Sequence, residues 1–267
     1  MALYNRIEGR LLKEKMRQSN EARVTVSFYK YHAIPDPTSF RNTLFLELEK
    51  LGVFGRIYVA LEGINGQISL PQTNQEAFRN YLYSIPFLNG IRLNFAVDDN
   101  GKSFFKLKIL VRPKIVADGL NDATFDSSNT GVHVNAAEFN KLADDPNTMI
   151  IDMRNHYESE VGHFKGAILP DVDTFREELQ VAEDLMTEYK DKNLLMYCTG
   201  GIRCEKASAW MKHRGFKNVF QLNGGIIEYA RQVKQQGLEN KFIGKNFVFD
   251  ERLGERITND IIAVCHQ

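Results

Sequence analysis

Cys198 and Arg203 are the two residues whose types and spacing best suit chemistry. They bracket Thr199, Gly200, Gly201 and Ile202, so a cysteine opens a short loop and an arginine closes it. The run ahead of the loop, Leu194-Leu195-Met196-Tyr197, has the unbroken apolar character of a strand covered on both faces. Behind it, from Ile202, Ala207, Trp210 and Met211 fall on one helical face, and Gly215 ends the pattern. A thiol between a strand end and a helix start faces free backbone amides, the positive end of the helix and the Arg203 guanidinium. Each of these favours the thiolate. The implied chemistry is that of a nucleophile inside an anion cradle. The alternative is a small core residue, the usual place of a lone cysteine.

The loop's size narrows the guest. Four residues separate Cys198 from Arg203. Cysteine phosphatases separate the same pair by five, a wider cradle fitted to a phosphate ester. The shorter loop suits something smaller, such as a sulfur atom carried on the cysteine.

Other residues have two readings each. Asp152 and Arg154 end the strand Thr148–Met153 and either reach the Cys198 loop or tie their strand down as an ion pair. Cys204 either resolves a persulfide or sulfenate on Cys198 as a disulfide or is an ordinary buried cysteine at a helix start. His163 either donates to a substrate or shapes a turn before Phe164 and Gly166. In Glu62-Gly63-Ile64-Asn65-Gly66, Glu62 and Asn65 either form a polar tip aimed at a substrate or belong to a hairpin turn that needs two glycines. Lys106 and Lys108 lie in a basic cluster with Lys102, Arg112 and Lys114. Beside Phe105 they suit RNA backbone contact, and the plainer reading is a lysine-guarded strand edge. The six histidines show no ligand spacing and no Cys-x-x-Cys occurs, so no metal site is expected. Gly224-Gly225 is not a dinucleotide fingerprint, and no cofactor is identifiable.

These residues need a frame. The 267 residues suit two ordinary domains. Lysine plus arginine equals aspartate plus glutamate at 34 each, but residues 1–120 hold 17 basic and 11 acidic side chains, an excess that permits a polyanion on the first half. Three cysteines imply no disulfide framework, and neither a signal peptide nor a membrane span is visible. A reducing, cytoplasmic setting is the default.

A charged helix over 2–19, with Leu3, Ile7, Leu11 and Leu12 as an apolar stripe, precedes a domain at 23–115. In that domain a strand at 24–31, a helix from the Pro35–Thr38 turn to Leu51, strands at 55–61 and 66–70, a helix at 74–84, and strands at 91–97 and 104–111 follow in turn. That order is the ferredoxin-like split βαβ pattern. A polar linker, 116–130, leads to a second domain at 131–245. There, helices at 136–142, 175–189 and 226–236 alternate with strands at 148–153, 193–197 and 219–222. The alternation implies an α/β parallel sheet with the Cys198 loop at a strand's carboxyl end. Residues 246–267 form a tail.

Cys198-Thr199-Gly200-Gly201-Ile202-Arg203 resembles the active loop of rhodanese domains, in which the cysteine carries a persulfide. Ile150–Asn155, Glu158, Gly162–Ile168 and Val219–Ile226 resemble other segments of that domain. Together with the N-terminal acylphosphatase-like α+β domain, the Glu62–Gly66 segment and the tail Arg252–Ile257, the chain resembles the bacterial tRNA uridine hydroxylase family. The resemblance implies oxygen-dependent hydroxylation of the wobble uridine to 5-hydroxyuridine. It implies molecular oxygen as co-substrate and the anticodon region of tRNA as partner, with no electron source named. It also implies a cysteine-rich tail that this chain, stopping at Cys265-His266-Gln267, would lack. Two other classes remain: a sulfurtransferase using thiosulfate or a persulfide donor, and a binding module for RNA or protein on a degenerate rhodanese fold. The intact Cys198 and Arg203 speak against degeneracy.

Overall fold

The computed structural model describes residues 8–262. The chain forms two compact units. The first runs through Ile115 and includes Phe249–Leu253, and the second holds Val116–Val248 and the residues from Gly254 onward.

In the first unit, helix α1 (Gly9–Gln18) precedes β1 (Arg23–Tyr31), α2 (Pro37–Lys50), β2 (Phe54–Ala60), β3 (Gly63–Pro71), α3 (Gln75–Ser84), β4 (Asn94–Phe95) and β5 (Leu107–Val111). The sheet order is β4-β1-β3-β2-β5. Its first four strands give the split βαβ arrangement, and β5 adds to the β2 edge in parallel. Asp36 starts α2 by accepting the Thr38 and Ser39 amides at 3.1 and 2.9 Å, and Pro37 sits where a missing N–H costs nothing. Leu44 and Leu48 of α2 and Phe78 and Leu82 of α3 bury against Ile57, Val59, Ile64 and Ile68, the inward residues of β2 and β3. Gly66 is needed where β3 crosses Phe28, since a Cβ there would lie 2.5 Å from the ring.

Several sequence expectations change in this unit. The hairpin turns at Leu61–Glu62, because two residues suffice to reverse a tightly twisted pair. Residues 63–66 are therefore strand, and Asn65 lies inside β3 rather than on a tip. β4 shrinks to two residues and β5 begins after Lys106. Leu3 and Ile7 lie outside the described residues. Leu11 is 51% exposed, and Met16 is the buried anchor of α1.

In the second unit, β6 (Val132–Val134), α4 (Ala136–Ala143), β7 (Thr148–Asp152), α5 (His156–Ser159), β8 (Gly162–Phe164), α6 (Phe175–Met186), β9 (Asn193–Tyr197), α7 (Ile202–His213), β10 (Asn218–Leu222) and α8 (Gly225–Gln236) are followed by β11 (Phe242–Asn246) and β12 (Glu255–Arg256). β6, β10, β9 and β7 form a parallel sheet in that order, and β12, β11 and β8 form a small antiparallel one. Along β9 the side chains alternate. Leu194 and Met196 join Cys198 in the core with α6 and α7, whereas Leu195 and Tyr197 enter the core with α4 and α8. Both faces of β9 are thus covered, which accounts for its uninterrupted apolar run. Residues 116–130 lie along α7: buried Asp118 pairs with buried Lys206, Phe125 sits edge-on to Trp210 at 5.4 Å, and Asp122 meets His213 at 2.9 Å.

Candidate active site

The loop Cys198–Arg203 hangs between two helix N-termini. Gly201, with φ 99°, caps α7 in a left-handed conformation, and its amide donates to Cys198 Sγ at 3.2 Å. From the other side, Ile226 and Ile227 at the start of α8 donate to the carbonyls of Cys198 and Thr199 at 3.0 and 3.3 Å. These bonds hold the loop's carbonyls outward, toward α8. Gly225 makes the approach possible, because a Cβ there would stand 2.5 Å from the Cys198 carbonyl oxygen and 2.6 Å from that of Thr199.

Cys198 is 1% exposed. Burial by itself raises a thiol pKa. Here that is outweighed by a hydrogen bond from the Cys204 thiol, the Arg203 charge and the backbone amides of Cys204 and Arg203, and Cys198 falls to about 6. It is a thiolate at neutral pH. Cys204 moves the other way: burial, its bond to Cys198 and the Cys198 charge push it well above the ordinary thiol range. The pair is therefore one anionic sulfur and one thiol that donates to it.

Arg203 does not stand alone against the sulfur. Its Nη1 and Nη2 donate to Glu158 Oε1 and Oε2 at 2.6 and 2.9 Å, a bidentate pair with the carboxylate fully buried. Burial would raise Glu158, but the Arg203 guanidinium overrides it and holds the carboxyl below its usual range. Thr199 Oγ1 lies 3.4 Å from both Glu158 and Arg203. Ile202 begins α7 as the first residue after Gly201. Of the two loop glycines, Gly201 has the positive φ and Gly200 does not.

Asp152 and Arg154 tie the structure together. Arg154 Nε and Nη2 donate to the two Asp152 oxygens at 2.8 and 2.6 Å, and Nη2 also donates to the Gly162 carbonyl at 2.6 Å. The Tyr197 hydroxyl donates to Asp152 at 2.7 Å. This cluster, wholly buried, anchors the residue immediately before Cys198. His163 Nδ1 meets the Ser159 carbonyl at 2.9 Å, in keeping with a turn-shaping part.

Glu62 and Asn65 are brought together, in the first unit, on its own chain. Glu62 accepts the Ile115 amide at 2.7 Å, and the Asn65 amide donates to the Ile115 carbonyl at 3.3 Å. Lys106 and Lys108 are exposed, and Lys106 lies 5.7 Å over the Phe105 ring. Lys102 is spent on the α1 terminus, donating to the Met16 carbonyl at 2.7 Å. Among the described residues no group of three or more histidine, cysteine, aspartate or glutamate side chains is placed to hold a metal ion, and no helix is long and apolar enough to cross a membrane.

Sequence reasoning missed Glu178. It is fully buried on α6, and neither carboxyl oxygen has a hydrogen-bond partner. Burial raises it to about 10, against the pull of Arg203 and with the push of Asp152, Glu158 and Cys198. A neutral carboxylic acid thus shares the charged cluster of the thiolate. Its signal in the sequence is an acid set within the apolar stripe Phe175, Leu179, Ala182 and Met186.

The cost of keeping this acid has a definite pH dependence. Its folded pKa lies above the ordinary carboxyl value of 4.5, so the stability it contributes is complete only below about 4.5 and is lost as pH rises toward about 10. Glu178→Met removes that loss. Relative to wild type the variant gains on the order of 3 kcal/mol at pH 7, and the gain grows toward pH 9. Thermal melts across pH 5–9 measure it, and a pH-independent difference would show that Glu178 is ionised in the folded protein.

Residues 23–115 match the UPF0176 acylphosphatase like domain, and residues 135–232 match the rhodanese-like domain. Over 266 residues, 99% of this chain and 76% of the relative, the sequence is 58% identical to a protein of Enterobacter sp. (strain 638) named tRNA uridine(34) hydroxylase. It is 56% identical, with the same coverage, to a protein of that name from Photorhabdus laumondii. The solution structure of a rhodanese-like domain from Anabaena aligns at 21% identity and TM-score 0.33, over 42% of this chain and 78% of that one. With that identity carried across both domains, the chain belongs to the tRNA uridine(34) hydroxylase family.

Proposed function

We propose that this protein hydroxylates the wobble uridine of tRNA at C5, in the cytoplasm, with Cys198 as its nucleophile. Supporting the reading of the substrate is membership of a family whose relatives carry that activity in their names. Supporting the role of Cys198 is one observation above the others: a buried thiolate held by backbone amides and by the Cys204 thiol at the end of β9.

The reaction is an oxidation. The C5–H of uridine becomes C5–OH, one oxygen atom of O2 enters the base, and the other leaves as water. Two electrons and two protons come from an external reductant. The Cys198 thiolate adds to C6 and makes C5 electron-rich. C5 then attacks oxygen at the peroxide level, water departs, and loss of the C5 proton expels the thiolate and restores the double bond. Glu158 holds Arg203 at the loop's closing end, and the neutral Glu178 carboxyl is a proton source within the same cluster.

The test is nucleoside analysis of tRNA from cells lacking the gene, with the wild-type gene restored, grown under oxygen-18 and with a sulfur label. Appearance of oxygen-18 in 5-hydroxyuridine on restoration is the expected result. Incorporation of the sulfur label instead would make the protein a tRNA sulfurtransferase. No change in any tRNA nucleoside would refute the reading.

A further inference from the structure

The outer face of the first unit's sheet carries a site that the Cys198 chemistry does not use. Strand register places two rows across it. Lys108, Arg56, Gln67 and Ser27 form one, and Leu110, Tyr58, Asn65 and Tyr29 form the next. Period-two alternation sends the intervening Ile57, Val59, Ile64 and Ile68 into the core, so these rows point away from α2 and α3. Arg56, Tyr58, Asn65, Gln67 and Phe249 line a cavity of about 220 Å³.

The chemistry of the lining is specific. Two aromatic rings, Tyr58 and Phe249, offer faces for stacking. Gln67 offers the paired donor and acceptor of a carboxamide, the kind that reads a base edge, and Asn65, whose amide also donates to the Ile115 carbonyl, adds its carbonyl oxygen as an acceptor. Arg56, Lys108 and Arg112 are cationic, and Arg112 lies 5.7 Å over the Tyr58 ring. Neither row contains a carboxylate. Among the described residues Arg56, Lys108 and Arg112 form no ion pair, and the Gln67 carboxamide and the buried Ser27 hydroxyl beside it have no hydrogen-bond partner. The plain alternative, a solvated strand face, explains lysines at an edge but not unpaired cations gathered around aromatics and amides. The cavity is smaller than the roughly 300–1,000 Å³ that encloses a drug-sized ligand, so its fit is one flat ring.

We propose that this pocket binds a single unpaired nucleobase of the tRNA, with the adjoining phosphates running along Arg56, Lys108 and Arg112. The site rests on the reading of tRNA as substrate and adds to it a sequence-reading surface on the first unit. Stacking holds the base, the amides discriminate among bases, and the cations neutralise the strand on either side.

The experiment uses the full chain. Affinity is measured by fluorescence anisotropy for an RNA stem–loop and for the same stem without its loop, over a series of salt concentrations. Arg56→Gln weakens stem–loop binding about tenfold and lowers the salt slope by about one. Gln67→Leu weakens stem–loop binding by a similar factor and leaves the salt slope unchanged. Neither change alters binding of the loopless stem by comparable amounts. Arg79→Gln, on the exposed face of α3, serves as the control and binds as wild type. Melting temperatures within a few degrees of wild type confirm that the variants are folded.

Stem–loop binding unchanged in both variants overturns the pocket. Equal losses on loop and stem also overturn it, since they mean phosphate contact without a base. Hydroxyuridine formation by the wild-type protein is scored in parallel. Its failure would count against the proposed reaction, whereas wild-type hydroxylation with unaffected variants would count against the pocket alone.

Discussion

Cys198→Ala abolishes 5-hydroxyuridine formation, lowering the rate by at least about 10³-fold, while the protein remains folded. The loss follows from the position of the sulfur, the one ionised thiol in the cradle. Cys204→Ala separates two roles that the sequence left open. Its thiol donates to the Cys198 thiolate, so its removal raises the Cys198 pKa above about 6. A charge-assisted hydrogen bond of this kind is equivalent to roughly 1 pH unit. The thiolate is the active form. The acid limb of the pH–rate profile in Cys204→Ala therefore moves upward by that amount, and the rate on the alkaline plateau is retained. Single-turnover assays between pH 5 and 9 read both features. A rate lost equally at every pH would mean instead that Cys204 resolves an oxidised Cys198 as a disulfide. Full activity in Cys198→Ala would remove the cysteine from the mechanism.

Asp152→Asn destabilises the second unit by roughly 3–5 kcal/mol, a drop of about 10 °C in its melting temperature. The substitution keeps the shape of the side chain and a group able to accept from Tyr197. It removes the charge that balances Arg154, whose guanidinium is wholly buried and whose Nη1 already lacks a partner. An uncompensated buried cation is the expensive outcome. Arg79→Met, breaking the exposed Arg79–Glu76 pair, costs about 1 kcal/mol or less by comparison. Differential scanning calorimetry of both variants checks the contrast, and an Asp152→Asn protein as stable as wild type would mean that water reaches this cluster. Because Tyr197 hangs from Asp152 and leads directly into Cys198, activity falls with stability in this variant.

The parts of the fold visible in the sequence were those set by local pattern. The apolar run before Cys198, the glycine cap of α7, the Asp36 cap of α2 and the split βαβ order all follow from periodicity and turn chemistry. Short strands escaped because their pairing is decided at a distance: β8 and β11 have three and five residues and exist through each other. The Glu62–Gly66 segment misled for a related reason. Two glycines suggested a turn, whereas Gly66 answers the crossing of Phe28 and Asn65 is held by Ile115. At the active site the nucleophile and the closing arginine were legible as residue types. The partners that set their charge were not, because burial assigns those roles. Glu158 neutralises Arg203 from 45 positions away, and Glu178 is an acid only by virtue of having no partner. Of the two readings of Asp152 and Arg154, the ion pair is the one the packing supports.

The return of Phe249–Leu253 to the first unit has a consequence for the order in which the chain can be made. Glu251 donates its amide to the Ser103 carbonyl at 3.1 Å and pairs with Lys13, and Arg252 reaches the Asp98 carbonyl at 3.0 Å. Phe249 closes the wall of the sheet-face pocket. None of these contacts can form until residues 116–248 of the second unit have been translated, a delay on the order of 10 s at ordinary elongation rates. During that interval the nascent first unit is a sheet without its clasp, and its pocket lacks a wall. Synthesis of residues 116–248 therefore acts as a timer on the first unit, whose sheet-face cavity is completed only when Phe249 arrives.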